Sequence, residues 1–167
     1  MPLHSLVIQF QLISGSVVEP DIQTQLLLLV RLVAAGILSG MLGWEREAAR
    51  KPAGLRTHML VGIASALFTV LAELAVVHYP SDAGGMRADP IRVIQAVAIG
   101  VGFLGSGVIF VSKNDDSVRG LTTAGSIWAT AAIGIAAGLG YYVLAVGATL
   151  LLLLVLRGMA QFEKSSE

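Results

Sequence analysis

Two stretches of this chain, Val93–Val111 and Leu121–Leu139, run for the thickness of a lipid bilayer without one charged side chain. As helices each covers roughly 28 Å, close to the ~30 Å of a hydrocarbon core. A helix on a water-soluble fold needs a polar outer face, and these have none. Three more runs approach the same length. Leu26–Trp44 carries Arg31 as its only charge, Met59–Val77 carries only Glu73, and Tyr141–Leu156 is shorter but almost purely apolar. The last follows the fourth through Gly140 alone, which demands a tight hairpin. The expected fold is all-α: a polytopic helical membrane protein of about five transmembrane helices.

Composition points the same way. Charged residues make up 13% of the chain, about half the ~25% usual in soluble domains. That excludes an ordinary soluble enzyme and a disordered chain. A net charge of +0 with no basic block excludes nucleic-acid binding. With no cysteine, disulfides and thiolate sites are excluded too. The 19 glycines suit membrane helices that approach closely.

The chain divides into a leader (1–24), a transmembrane domain (25–158) and a short cytoplasmic tail (159–167). Met1–Pro20 lacks a basic start, and Gln9 and Gln11 interrupt its apolar run, so it reads as an interfacial helix or loose leader on the outside, not as a signal peptide. Basic residues set the orientation. Arg46, Arg50, Lys51, Arg56, Lys113, Arg119, Arg157 and Lys164 fall on one side, against Arg87 and Arg92 on the other. The N-terminus is therefore expected outside and the C-terminus in the cytoplasm. A weak repeat at an offset of 66 residues relates Gly54-Leu55-Arg56-Thr57 to Gly120-Leu121-Thr122-Thr123, Gly36 to Gly102 and Leu38 to Leu104. Two parallel helix pairs plus one extra helix would produce it.

Each of the first four spans carries a small or polar stripe at helical spacing. The stripes are Gly36, Gly40 and Gly43; His58, Gly62, Ser65, Thr69 and Glu73; Gln95, Ala98, Gly102 and Ser106; and Thr123, Ser126, Thr130, Gly134 and Gly138. Two readings stand. Gly36, Gly40, Gly102, Gly105, Gly107, Gly134 and Gly138 are expected at helix–helix contacts, with the hydroxyls bonding across them. Alternatively Ser65, Thr69, Glu73, Ser126 and Thr130 line a polar path. Glu73 separates the two, since a carboxylate within a span costs about 3 kcal/mol on insertion scales. Arg31 reaches outward or pairs with a carboxylate, for which Glu73 is a candidate. His78 is expected at the outer interface.

The cytoplasmic loop after the first span is dense in charge. Glu45 and Glu47 can pair with Arg46, Arg50 or Arg56, or hold a divalent cation through carboxylate oxygens and waters. Asn114-Asp115-Asp116 reads mainly as a turn on the same side. The Gly100–Gly105 run matches a dinucleotide fingerprint, but that pattern counts only between a strand and a helix of a soluble unit. No catalytic set and no resident metal or cofactor is read from the chain, which is expected to be no enzyme.

Three ordered motifs carry a family resemblance. Gly43-Trp44-Glu45-Arg46-Glu47, Lys51 and Ala53-Gly54-Leu55-Arg56-Thr57-His58-Met59-Leu60-Val61 resemble the first signature of the MgtC/SapB family. Gly100–Ile109 resembles the second, and Val118-Arg119-Gly120-Leu121-Thr122-Thr123-Ala124-Gly125-Ser126-Ile127-Trp128 the third. The resemblance covers roughly residues 25–160. It implies a bacterial inner-membrane protein linked to growth in low Mg²⁺, survival inside host cells and control of membrane potential. It implies family-motif roles for Glu45, Arg46, Glu47, Lys51, Gly54, Arg56, Thr57, His58, Arg119, Gly120, Thr122 and Thr123. It also implies, for the MgtC branch, restraint of the F-type ATP synthase through its membrane sector. The chain ends soon after the fifth run, without the C-terminal domain of MgtC-type members, and so resembles the shorter SapB-like form or a truncated chain. Expected partners are the bilayer, that ATP synthase sector and further copies of the chain. The competing reading is a small oligomeric cation transporter or channel that uses Glu73.

Overall fold

The computed structural model describes residues 21–78, 89–111 and 117–164. The leader, Arg87, Lys113 and the Asp115–Asp116 pair lie outside them. Among the described residues five helices form: α1 (Ile22–Ala48), α2 (Leu55–His78), α3 (Pro90–Ser106), α4 (Leu121–Gly138) and α5 (Tyr142–Lys164). Three are long and apolar enough to cross a membrane: α1, α2 over Leu55–Val76, and α4. Helix α3 and the apolar part of α5, Tyr142–Gly158, are shorter.

The third run does not stay helical to Val111. Helix α3 stops at Ser106, with Gly107 as its C-cap. Gly105, Ser106 and Gly107 are weak helix formers, and the Ser106 hydroxyl donates to the Phe103 carbonyl at 2.7 Å. Phe110–Val111 (β1) then pairs antiparallel with Val118–Arg119 (β2). This small ladder was not expected from the sequence. Gly120 closes it at φ +90°. A methyl group there would strike the Val108 carbonyl oxygen, so only glycine can lead from the ladder into α4.

Both helical hairpins end their first helix in the same way. At Gly140 (φ +80°) the Tyr141 N–H donates to Ala136 O and the Gly140 N–H to Ala137 O, each at 2.9 Å. This is a Schellman turn, and it delivers the tight hairpin the sequence demanded. At the end of α1 the Lys51 N–H donates to Arg46 O at 3.0 Å and the Arg50 N–H to Glu47 O at 2.9 Å. Here Arg50 takes the left-handed position, φ 52°.

Helices α2 and α4 sit side by side at the centre. Helix α1 packs against both, α3 packs against both from the other side, and α5 lies across α4 and α1. Helix α1 thus packs on α2 and α3 on α4, with α5 added beside α4 and α1. Lipid offers no hydrophobic force between helices, so association relies on close packing. Accordingly small residues line the inside (Ala35, Ala66, Ala131, Ala137, Ala145), and large apolar ones face out (Ile99, Phe103, Leu151).

The glycine stripes mostly mark these contacts. A methyl group on Gly36 would lie 3.1 Å from Ile63, one on Gly40 3.3 Å from Met59, and one on Gly43 2.7 Å from the Leu55 backbone. Gly134 packs against the Gly62 carbonyl, and a methyl group on Gly138 would lie 2.8 Å from Ala66 O. Gly105 meets Ala124 at ordinary van der Waals distance. Two expectations are corrected. A methyl group on Gly102 meets nothing within 4 Å, and Gly107 meets only Leu104 of its own helix. The packing face of α3 is Val97, Val101 and Gly105, one step around from the Gln95, Gly102 and Ser106 stripe, which is exposed. Stripe spacing alone could not say which side of α3 would turn inward.

Candidate functional site

The family-motif residues meet where α1 ends and α2 and α4 begin. Glu45 and Arg46 are adjacent in sequence and both buried, at 7% and 2% exposure. Their side chains form a two-pronged pair, Nε to Oε2 at 2.5 Å and Nη2 to Oε1 at 2.7 Å. Burying two charges is costly, and this geometry offsets much of that cost. Glu47 turns elsewhere. Its carboxylate accepts from the Leu55 N–H at 2.8 Å, capping the positive N-terminal end of α2 from eight residues upstream. A methyl group on Gly54 would sit 2.7 Å from that carboxylate, so the glycine makes room for the cap. Of the ion pairs weighed for these carboxylates, Glu45 takes Arg46. Among the described residues, no three His, Cys, Asp or Glu side chains gather as a metal site would require.

His58 completes this cluster. It is fully buried. Nδ1 lies 2.9 Å from Gly54 O and Nε2 lies 3.1 Å from the Ser126 hydroxyl on α4. The first turn of α2 is thereby fastened to α4. Around it Lys51, Arg56, Thr57, Arg119 and Thr122 are exposed, while Thr123 is buried.

At the opposite end of the bundle, Arg31 Nη1 lies 2.5 Å from Glu73 Oε2 and also donates to Gly138 O at 3.0 Å. One guanidinium joins α1, α2 and the end of α4. Glu73 is therefore paired, and its side chain is 46% exposed.

Of the four hydroxyls expected to line a path, three are turned to their own helices, while Ser65 lines a groove between α2 and α3. Thr69 donates to Ser65 O, Thr130 to Ser126 O and Ser126 to Thr123 O, each at 2.8 Å. In membrane helices such back-bonds satisfy a polar group without a partner across the interface. One polar group escapes this. The hydroxyl of Ser39 is buried with no hydrogen-bond partner among the described residues, pressed against Gly62. The sequence reading missed Ser39, although its place between Gly36 and Gly43 on the α1 stripe marked it. It also missed that His58 and Ser126, named separately, meet each other.

Residues 32–165 match the MgtC family. The chain is 43% identical over 129 residues to the protein named putative magnesium transporter YhiD of Escherichia coli K12, covering 77% of this chain and 58% of that one. It is 37% identical over 125 residues to protein SapB of Bacillus subtilis, covering 75% and 50%. It is 38% identical over 124 residues to protein MgtC of Brucella abortus, covering 74% and 48%. The chain thus spans about half the length of the curated relatives it matches, SapB no more fully than YhiD, so length does not sort it between branches. No solved structure matches it significantly. Three ordered motifs, a bundle of apolar helices and a family match over most of the chain agree: this is a membrane protein of the MgtC family.

Proposed function

We propose that the chain is a non-enzymatic module of Mg²⁺ homeostasis that acts through helix contacts within the bacterial inner membrane, with its N-terminus outside and its C-terminus in the cytoplasm. Its partner in this reading is the membrane sector of the F-type ATP synthase. Restraint of that enzyme would link the chain to membrane potential, low-Mg²⁺ growth and survival inside host cells.

The observation that carries contact over conduction is the state of the intramembrane polar groups. Thr69, Ser126 and Thr130 spend their hydroxyls on their own helices, and Glu73 is held by Arg31. The three hydroxyls are buried between packed helices, and the carboxylate already has a cationic partner. The test is purification of the full chain from membranes of cells grown at low Mg²⁺. Enrichment of ATP synthase membrane subunits is expected, and their absence overturns the reading.

The name of the Escherichia coli relative, a putative magnesium transporter, favours a second reading: an oligomeric Mg²⁺ carrier that uses Glu73. Reconstitution in liposomes decides it. Mg²⁺ flux that falls with Glu73→Gln supports transport, and no flux removes it.

A further inference from the structure

The bundle has two sides related by the 66-residue repeat, and only one of them is filled. On the filled side, α5 lies against α1 and α4, and Ala35 and Leu38 of α1 pack in the same apolar cluster as Ala145 of α5. At the repeat offset those two positions are Val101 and Leu104. Both line an open groove of about 770 Å³ between α2 and α3. This groove is the counterpart of the seat that α5 occupies, and no helix of the described chain covers it.

Ser65 apart, the residues of the groove wall are apolar, and its far end carries one charge, Arg92. From Arg92 to Leu104 it runs about 18 Å along α3, a little more than the ~15 Å depth of one leaflet. The Arg92 side chain is 83% exposed. Asp89 approaches its Nε at 3.4 Å, but the same carboxylate is engaged in capping α3, accepting from the Ile91 N–H at 3.0 Å. The outer edge of the guanidinium is left to present its remaining N–H donors at the level of the headgroups. A groove with an apolar wall one leaflet deep and a guanidinium at its mouth matches an amphiphile with an anionic head and a long hydrocarbon tail. Arginine suits the head because its fork binds a phosphate through two N–H groups, and basic pockets between membrane helices select anionic lipids.

We propose that the α2–α3 groove is a binding site for one anionic glycerophospholipid, its phosphate on Arg92 and an acyl chain lying along α3 past Gly100 to Leu104. The lipid takes the place that α5 takes on the other side. Gly100 keeps the floor low, since a methyl group built there meets nothing within 4 Å. For the same reason a larger side chain fits at this position without disturbing the helices, and it would fill the groove.

The test is native mass spectrometry of the full chain in mild detergent, titrated separately with phosphatidylglycerol and phosphatidylcholine. Wild type is expected to retain one phosphatidylglycerol in preference to phosphatidylcholine. Arg92→Gln should weaken phosphatidylglycerol binding about tenfold and abolish the preference, as loss of a charge-assisted contact does. Gly100→Leu should lose both lipids with the melting temperature kept. Equal binding of the two lipids by all three proteins means a surface lipid layer only and overturns the proposal. So does a dimer that Gly100→Leu splits without changing lipid retention, because the occupant is then a second copy.

Discussion

The His58 ring nitrogen Nε2 lies 3.1 Å from the Ser126 hydroxyl, while Nδ1 faces the Gly54 carbonyl at 2.9 Å. A carbonyl can only accept, so Nδ1 carries a proton, while the single proton of the Ser126 hydroxyl goes to Thr123 O and its oxygen faces Nε2. Ser126→Ala leaves the buried Nε2 without its hydrogen-bond partner and is expected to cost about 1–3 kcal/mol. Denaturant unfolding in detergent measures this. Nitrogen NMR shifts of the ring should show a protonated Nδ1, and a bare Nδ1 would refute the assignment.

Helices α2 and α4 approach closely where Gly134 meets the Gly62 backbone. Backbone cannot swing aside as a side chain can. Gly134→Ala should therefore destabilise the bundle by about 1–3 kcal/mol through overpacking. Gly102→Ala has open space and should be neutral or stabilising by up to about 1 kcal/mol from helix propensity. Thermal unfolding of the two variants side by side checks the contrast, and equal melting temperatures would contradict it.

Arg31 has two partners and Glu73 one of them. Glu73 is nearly half exposed, so solvent screens the pair and its coupling in a double-mutant cycle should stay below about 1 kcal/mol. Arg31→Ala should cost more than Glu73→Gln, because it also releases the Gly138 carbonyl. The reverse order of stabilities would show that the carboxylate has a partner beyond Arg31.

Glu47 caps α2 through a carboxylate oxygen that the amide of glutamine can imitate. Glu47→Gln should keep most of the stability, whereas Glu47→Ala should lose about 1 kcal/mol. Neither variant should change Mg²⁺ binding measured by calorimetry. A Mg²⁺ affinity that collapses in Glu47→Gln would make this residue a cation ligand instead of a cap.

The helices were legible because the bilayer imposes a length, and long uncharged runs have few alternatives. The hairpin at Gly140 was legible for a similar reason, since a single residue between two spans leaves only a tight turn. The end of α3 was not. Its apolar run continues past Ser106 to Val111, and what ends the helix is local: weak helix formers, a hydroxyl back-bond and a ladder anchored by Gly120. The family-motif cluster was legible as a list but not as a geometry. Nothing in the spacing of Glu45, Arg46 and Glu47 told that the first two would pair and bury while the third capped the next helix. Likewise Gly36 and Gly102 occupy matching positions in the repeat, yet one packs on Ile63 and the other faces open space. A repeat conveys similar backbones, and burial depends on which neighbours arrive.

The Schellman turn at Gly140 also governs how the chain enters the bilayer. Between the last residue of α4 and the first of α5 stand Leu139, Gly140 and Tyr141, too few to form a loop that could wait in water while one helix inserts alone. The two helices must therefore pass into lipid as a hairpin, whose tip of Leu139, Gly140 and Tyr141 carries no charge.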